Sequence, residues 1–343
     1  MGVTTMSDVA RAAGVSVMTV SNVINGRPRV GPDTRLRVLN LIDELGYQVN
    51  LTARSLRAGQ TNTIALIVPA FDHAYFGELA ARVSKAVEAT GRHLALEQTG
   101  ASPDAELAAV SIARLQTYDG VLLSVVGLDT AEVDLLHPNV PIVLLGERLL
   151  PERFDHVSMG NVDGARLATQ HLLTTGSGRV AVLGGTHEQG LSGMTQMRTA
   201  GWRTAHQDLG REPDPALIIE VGSQDMREAR DATAAFIASG VPFDRIFAST
   251  DAVAIGARSA LATAGLRVPQ DVQVIGFDNL PIGEFITPSL SCVDPGHDFM
   301  VAEAMRLLTR NIANHGLPSD EPRPAPEHVI GPARLILRGS TRT

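Results

Sequence analysis

A chain of 343 residues that is 44% hydrophobic and only 19% charged can bury ordinary cores, which excludes intrinsic disorder as its general state. Its net charge of −8 is unevenly spread: residues 1–60 hold seven arginines against four acids, a net of +3, leaving −11 on the remainder. Cys292 is the sole cysteine, so no intramolecular disulfide can form. With neither a basic–apolar leader nor a run approaching 18 apolar residues, the expected location is cytoplasmic.

A basic segment ahead of an acidic body suggests that the first part meets a polyanion and the second does not. In chain order, Thr5 with Asp8 three residues later resembles a capping box at the start of a helix. Val9, Ala10 and Ala13 share one face of that helix, and Gly14 supplies the left-handed residue of a tight turn. Ser16 caps a second helix whose Val20, Val23 and Ile24 point back at the first. Its opposite face offers Val17, Met18, Ser21, Asn22 and Asn25. A third helix opens at Gly31-Pro32-Asp33 and packs Leu36, Leu39, Ile42 and Leu45 before stopping at Gly46. Two short helices about a tight turn, braced by a third, make a helix-turn-helix whose second helix enters a major groove. A small helical cap with no nucleic-acid role is the alternative, but it needs no exposed Ser/Asn face. Residues 50–57 follow as a short basic segment, marginal as an isolated helix and a candidate for ordering only when docked.

Thr5 to Asn25, then Tyr47, Asn50 and Ala53-Arg54-Ser55-Leu56, resemble the DNA-binding head and hinge of the lactose-repressor family of bacterial regulators. The resemblance runs the length of the chain and implies a body like a periplasmic sugar-binding protein. It assigns DNA contact to Ser16, Val17, Met18, Thr19, Ser21, Asn22, Asn25 and Arg29 in the head. In the hinge it assigns Asn50, Ala53, Arg54, Leu56 and Arg57, with Leu56 as a minor-groove wedge.

Strands are expected at residues 64–69, 93–98, 120–125, 141–146, 157–159, 179–184, 217–221, 245–249, 272–277 and 290–293, with a last one at 334–338. Runs such as V-L-L-S-V are nearly continuous in Val, Ile and Leu, as in parallel strands covered on both faces. Helical stretches lie between most of them, at 77–90, 163–174, 195–209 and 252–264. The expected fold is therefore an all-α helix-turn-helix head on an α/β body of two doubly wound parallel-sheet lobes. Expected boundaries are a head at 1–48, a hinge and linker at 49–61 and a ligand-binding body at 62–343. Within the body, 62–160 plus 294–325 form the N-lobe and 161–293 plus 326–343 the C-lobe. The Pro-rich stretch 317–326 reads as an exposed loop.

Enzyme signatures are missing. Gly184-Gly185-Thr186 lacks the G-x-G-x-x-G spacing, no Gly-Lys-Ser/Thr or G-x-S-x-G occurs, and the ten histidines show no metal-ligand spacing. No enzymatic activity, cofactor or metal is expected. Ligands of open α/β sheets sit beyond the carboxyl ends of strands, which selects residues 71–76, Gly146-Glu147-Arg148, Ser249-Thr250-Asp251 and Phe277-Asp278-Asn279. The resemblance selects the same places and adds Ser192, Arg198 and Trp202. The effector set is Tyr75, Phe76, Arg148, Ser192, Arg198, Trp202, Gln224, Thr250, Asp251 and Asp278. Arg198 would offer a fork of donors and Asp278 would accept from ligand hydroxyls. Three positions depart from the family pattern: Gly160-Asn161 where Asp-Asn is common, Thr250-Asp251 where Asn-Asp is common, and Gln224 where an aromatic is common.

The expected protein is a ligand-responsive transcription regulator, more readily a repressor than an activator. It would bind a near-palindromic DNA operator as a homodimer or tetramer and answer a small polar effector such as a sugar, with no membrane partner. A cytoplasmic solute-binding or sensor protein whose head meets a protein partner is the alternative. Inducer and co-repressor modes both stay open.

Overall fold

The structure is a computed structural model that describes residues 4–48, 60–134, 136, 138–147, 152–175, 178–315 and 324–342. It divides into two compact units, Met1–Thr61 and Asn62–Thr343.

The first unit holds α1 (Met6–Ala13), α2 (Val17–Ile24) and α3 (Pro32–Glu44). The capping box is present: Asp8 N–H donates to the Thr5 hydroxyl and Thr5 N–H donates to Asp8 Oδ2. Gly14 turns the chain at φ 63°, and Ser16 caps α2 by accepting from Thr19 N–H at 3.1 Å. Val9, Ala10, Ala13, Val20, Val23 and Val38 close the core, with Leu41 and Ile42 packed against it. The expected inward face of α3 is thus corrected. Leu36 and Leu39 are 62% and 42% exposed and Leu45 is also exposed, because the helical period that brings Val38 and Ile42 inward turns Leu36 and Leu39 out. Thr4 Oγ1 donates to Leu45 O and ties the start of the unit to the end of α3.

Among the described residues, the second unit contains two six-stranded sheets. The strands are β1 (Thr63–Val68), β2 (His93–Gln98), β3 (Gly120–Ser124), β4 (Ile142–Leu145), β5 (Asp155–Met159), β6 (Val180–Leu183), β7 (Ile218–Ile219), β8 (Arg245–Ala248), β9 (Gln273–Phe277), β10 (Ser291–Asp294), β11 (His328–Gly331) and β12 (Arg334–Ile336). The N-lobe sheet runs β11-β5-β4-β3-β1-β2 and the C-lobe sheet β12-β10-β9-β8-β6-β7. All neighbours are parallel except β12, which runs antiparallel to β10. β3, β4, β6, β8 and β9 are buried along their full length, as continuous apolar runs between helical layers require.

One expected lobe boundary is overturned. Residues 328–331, expected in the C-lobe, form β11 and pair with His156–Met159 of β5 in the N-lobe. A short, half-exposed edge strand carries no apolar run, so periodicity passes over it. The chain therefore crosses between lobes three times: after β5, after β10 and between β11 and β12.

The first return is fastened beside β5. Asp155 is buried and accepts both from Arg310 Nη2, at 2.9 Å to each oxygen, and from Asn311 and the Glu327 backbone. Arg310 and Asn311 belong to the helix His297–His315, so one carboxylate joins β5, that helix and the approach to β11. Glu106, fully buried, accepts from the backbone N–H groups of Val126, Gly127 and Leu128, which fixes the turn beyond β3.

Candidate functional site

On the head, α2 presents its N-terminal end outward. Val17 and Met18 are 44% and 68% exposed, while Ser16, Asn25 and Arg29 are also exposed. Thr19, Ser21 and Asn22 are half-buried beside them. Ser16 and Thr19 hydroxyls lie 2.9 Å apart, and Asn25 Nδ2 donates to Ser21 O at 2.7 Å and to Ser21 Oγ at 3.2 Å. The face is thus an apolar pair flanked by short polar groups held by one another, at the positive end of a helix dipole. The expected hinge residues Asn50, Ala53, Arg54, Leu56 and Arg57 lie outside the described residues.

In the body, a cleft of about 460 Å³ opens at the carboxyl ends of both sheets. Tyr75, Phe76, Arg198, Gln224, Thr250 and Asp278 of the expected effector set line it together. Its size falls among small-molecule sites. A wider groove of about 630 Å³, past Arg258, Leu266 and Ile286, lies away from the strand ends and brings no carboxylate.

Each cleft side chain is set by its element. The helix Ala74–Glu88 starts after β1 and carries Tyr75 and Phe76, whose rings meet edge-on at 4.9 Å. The helix Met194–Asp208 carries Arg198, only 2% exposed. Its Nε donates to Asn161 Oδ1 at 2.8 Å and its Nη1 to Ser249 O. Nη1 also stands 3.5 Å from Asp278 Oδ1, and the guanidinium lies 3.5 Å over the Phe277 ring. Asn161, at the first crossover, donates in turn to Glu147 at the end of β4. A single chain of contacts thus links Glu147 of the N-lobe to Asp278 of the C-lobe through Asn161 and Arg198.

Burial pushes Asp278 up to about 7, with Arg198 pulling it down and Glu147 pushing it further up. Burial likewise raises Glu147 above the usual carboxylate range, against the pull of Arg198 and Asn161. Tyr75 is held well above its ordinary value by burial and by both carboxylates, and His73 is lowered by burial and by Arg198. Asp278, Asn279 and Gln224 adopt left-handed backbone, at φ 113°, 54° and 56°. Asp278 and Asn279 directly follow β9 and Gln224 lies in the loop beyond β7, so the surroundings overrule local preference at three places around the cleft.

Three expected contacts are corrected. Trp202 is fully buried in the C-lobe core, its indole N–H donating to Val180 O at 3.0 Å; it follows Arg198 by four positions, but its bulk is drawn into the sheet. Asp251 is fully buried beneath the cleft, accepting from Leu280 N–H at 2.7 Å as a brace for the Asp278 turn. Ser192 is exposed and bonded to Gln196, outside the lining. Arg148 lies outside the described residues. From that same turn Glu147 lines the cleft, as does His73. A carboxylate directly after a buried parallel strand is the signal that points to Glu147.

A helix-turn-helix unit on a two-lobed body with such a cleft defines a DNA-binding regulator governed by a small ligand, and the comparisons agree. The model of periplasmic binding proteins and the sugar-binding domain of the LacI family matches residues 61–319, and that of bacterial regulatory proteins of the lacI family matches residues 5–50. The chain belongs to the LacI family of transcription regulators. The ribose operon repressor of Halalkalibacterium halodurans is 33% identical over 341 residues, spanning 99% of this chain and 97% of its own. A solved LacI-family regulator from Sanguibacter keddieii is 35% identical over 82% of this chain and 98% of its own, with a TM-score of 0.73. The regulator CelR, solved as a cellobiose complex, is 29% identical over 98% and 99% of the two chains, with a TM-score of 0.70. These relatives are regulators rather than enzymes. No helix among the described residues is long and apolar enough to cross a membrane.

Proposed function

We propose that this LacI-family regulator is a repressor whose two heads, in a dimer, read the half-sites of a near-palindromic operator, and whose cleft binds a hydroxyl-rich effector of the saccharide class. The convergence of Tyr75, Phe76, Arg198, Gln224, Thr250 and Asp278 on one cleft between the lobes carries this reading. Aromatic rings suit the apolar face of a sugar ring, and carboxylates suit its hydroxyls. A relative named a ribose operon repressor and another solved with cellobiose support the same class. A ligand shifts DNA binding only by its different affinity for two states, and the polar chain from Glu147 to Asp278 spans the lobes whose relative motion would distinguish them.

On the head, Val17 and Met18 meet thymine methyls and Asn22 reads a base edge, while Ser16, Thr19, Ser21, Asn25 and Arg29 hold phosphates. Asn22→Ala therefore changes which operator is preferred, by about 1–3 kcal/mol at one base position. Arg29→Ala weakens every sequence alike and flattens the salt slope by about one. Gel shifts on operator variants check both, and equal losses on every operator for Asn22→Ala would refute the base contact.

In the hinge, Leu56 enters the minor groove at the operator centre, with Arg54 and Arg57 on phosphates and Ala53 and Asn50 at the approach of the two segments. Leu56→Ala loses operator affinity and DNA bending together; parent-like mobility of the shifted band would sink the wedge. A gel shift against DNA upstream of the protein's own gene, with and without a panel of sugars, tests the whole reading. Retention of that DNA by the full chain, altered by at least one sugar, is the expected result.

A further inference from the structure

Among the described residues, the charges that line the cleft do not balance. Among the described lining residues Arg198 is the one guanidinium, and it faces two carboxylates, Glu147 and Asp278. A third carboxylate, Asp251, is fully buried beneath them, with Oδ1 lacking any hydrogen-bond partner. Arg198 is moreover already committed. Its Nε and Nη1 hold Asn161 and Ser249 O, and only Nη2 lacks an oxygen partner, resting 3.6 Å from Met159 Sδ. Bidentate capture of a ligand carboxylate or phosphate uses the Nε–Nη2 or the Nη1–Nη2 edge of the fork, and each edge already has one donor taken. Helix N-termini reach the cleft at Met194 and Thr250, but each carries only a fractional positive charge. The one at Thr250 is met by that residue's own hydroxyl and by Asp251 in its first turn.

Burial lifts both Asp278 and Glu147 toward their neutral forms against the pull of Arg198, the one guanidinium among the described lining residues. A second cation entering the cleft would let both remain ionised. The ring of Tyr75, packed against Phe76 and His297, lines the same cleft and feels both carboxylates, and an aromatic ring beside carboxylates is a setting in which ammonium groups bind.

We infer that the effector bears a basic nitrogen, bound as its ammonium form between the carboxylates of Glu147 and Asp278 and against the ring of Tyr75: an amino sugar or a similar polyhydroxylated amine. This rests on the reading of the cleft as the effector site and narrows its ligand. Neutral sugars bind more weakly, because a carboxylate without a counter-charge must stay protonated or remain costly. Sugar acids and sugar phosphates are rejected, because they bring negative charge beside two carboxyl groups where neither edge of the Arg198 fork is wholly free.

Thermal melting of the full chain at pH 7 in matched sets tests this: glucosamine, glucose and gluconate, and the corresponding galactose and mannose sets. In at least one set the amine should raise the melting midpoint at a concentration ten or more times lower than the alcohol, and the acid should not raise it. Glu147→Gln should bring the amine's advantage to within about twofold of the alcohol. The inference is overturned if an alcohol or acid acts as well as its amine, if no amine acts, or if Glu147→Gln leaves the advantage intact. Operator binding by the parent, measured on the same preparations by gel shift, reports separately on the regulator reading and survives if only the amine preference fails.

Discussion

Replacing Arg198 by alanine is expected to lower the stability of the body by about 3–5 kcal/mol near pH 8, the scale of an uncompensated buried ionic group. The response to effector should be lost as well. Arg198 is 2% exposed and holds Asn161, Ser249 O and Asp278, so its removal leaves Asp278 and Glu147 without the guanidinium that draws both toward ionisation. The loss depends on pH. Asp278 is held at about 7, above its ordinary value, so its own contribution to folding is complete below that ordinary value and disappears as pH rises through 7. At pH 5 the carboxyl is already protonated and misses the guanidinium less. Urea unfolding of the variant and the parent at pH 5 and pH 8 should therefore give a smaller difference at the lower pH. Equal losses at both would mean that Arg198 acts through packing on Phe277 and not through charge.

Trp202→Ala should be as damaging for a different reason. The indole is fully buried, with its N–H on Val180 O and the ring 4.6 Å from that of His206, so truncation opens a large void and leaves a carbonyl unpaired. The expected cost is about 3–5 kcal/mol by denaturant unfolding. Trp202→Phe keeps most of the volume and should retain the fold, with effector affinity within twofold of the parent. A tenfold loss of affinity in the folded Trp202→Phe protein would restore the side chain to the cleft.

The head was legible in detail because its determinants are local. Thr5 and Asp8, Gly14 and Ser16 fix two helix starts and a turn within twelve residues, and no distant contact overrides them. The inward face of α3 was not, since Val38 and Leu36 differ only in which side of one turn meets α1 and α2. In the body, continuous Val/Ile/Leu runs announce central strands, whereas β11, His-Val-Ile-Gly, is too short and too exposed to stand out from a loop. The cleft was legible as a place, because ligands gather where parallel strands end. Its membership was less so. Arg198 and Trp202 lie one helical turn apart, and only the packed core shows that one reaches the cleft and the other the sheet. Glu147 is signalled by its place just after a buried strand, but the demotion of Asp251 to a brace depends on its meeting the turn after β9, which spacing does not encode.

The edge strand β11 also governs when the body can mature. Its partner β5 is made about 170 residues earlier, and Asp155 waits 155 residues for Arg310, 156 for Asn311 and 172 for the backbone of Glu327. Through that interval the free edge of β5 and an unanswered carboxylate stand open while all of the C-lobe sheet except β12 is being made. Such distant pairings close slowly and leave partly assembled sheets exposed to one another. A nascent chain arrested before residue 324 should consequently be protease-sensitive in its N-lobe, although nearly all of that lobe has been translated. Limited proteolysis of stalled chains on either side of β11 would display the change as a step.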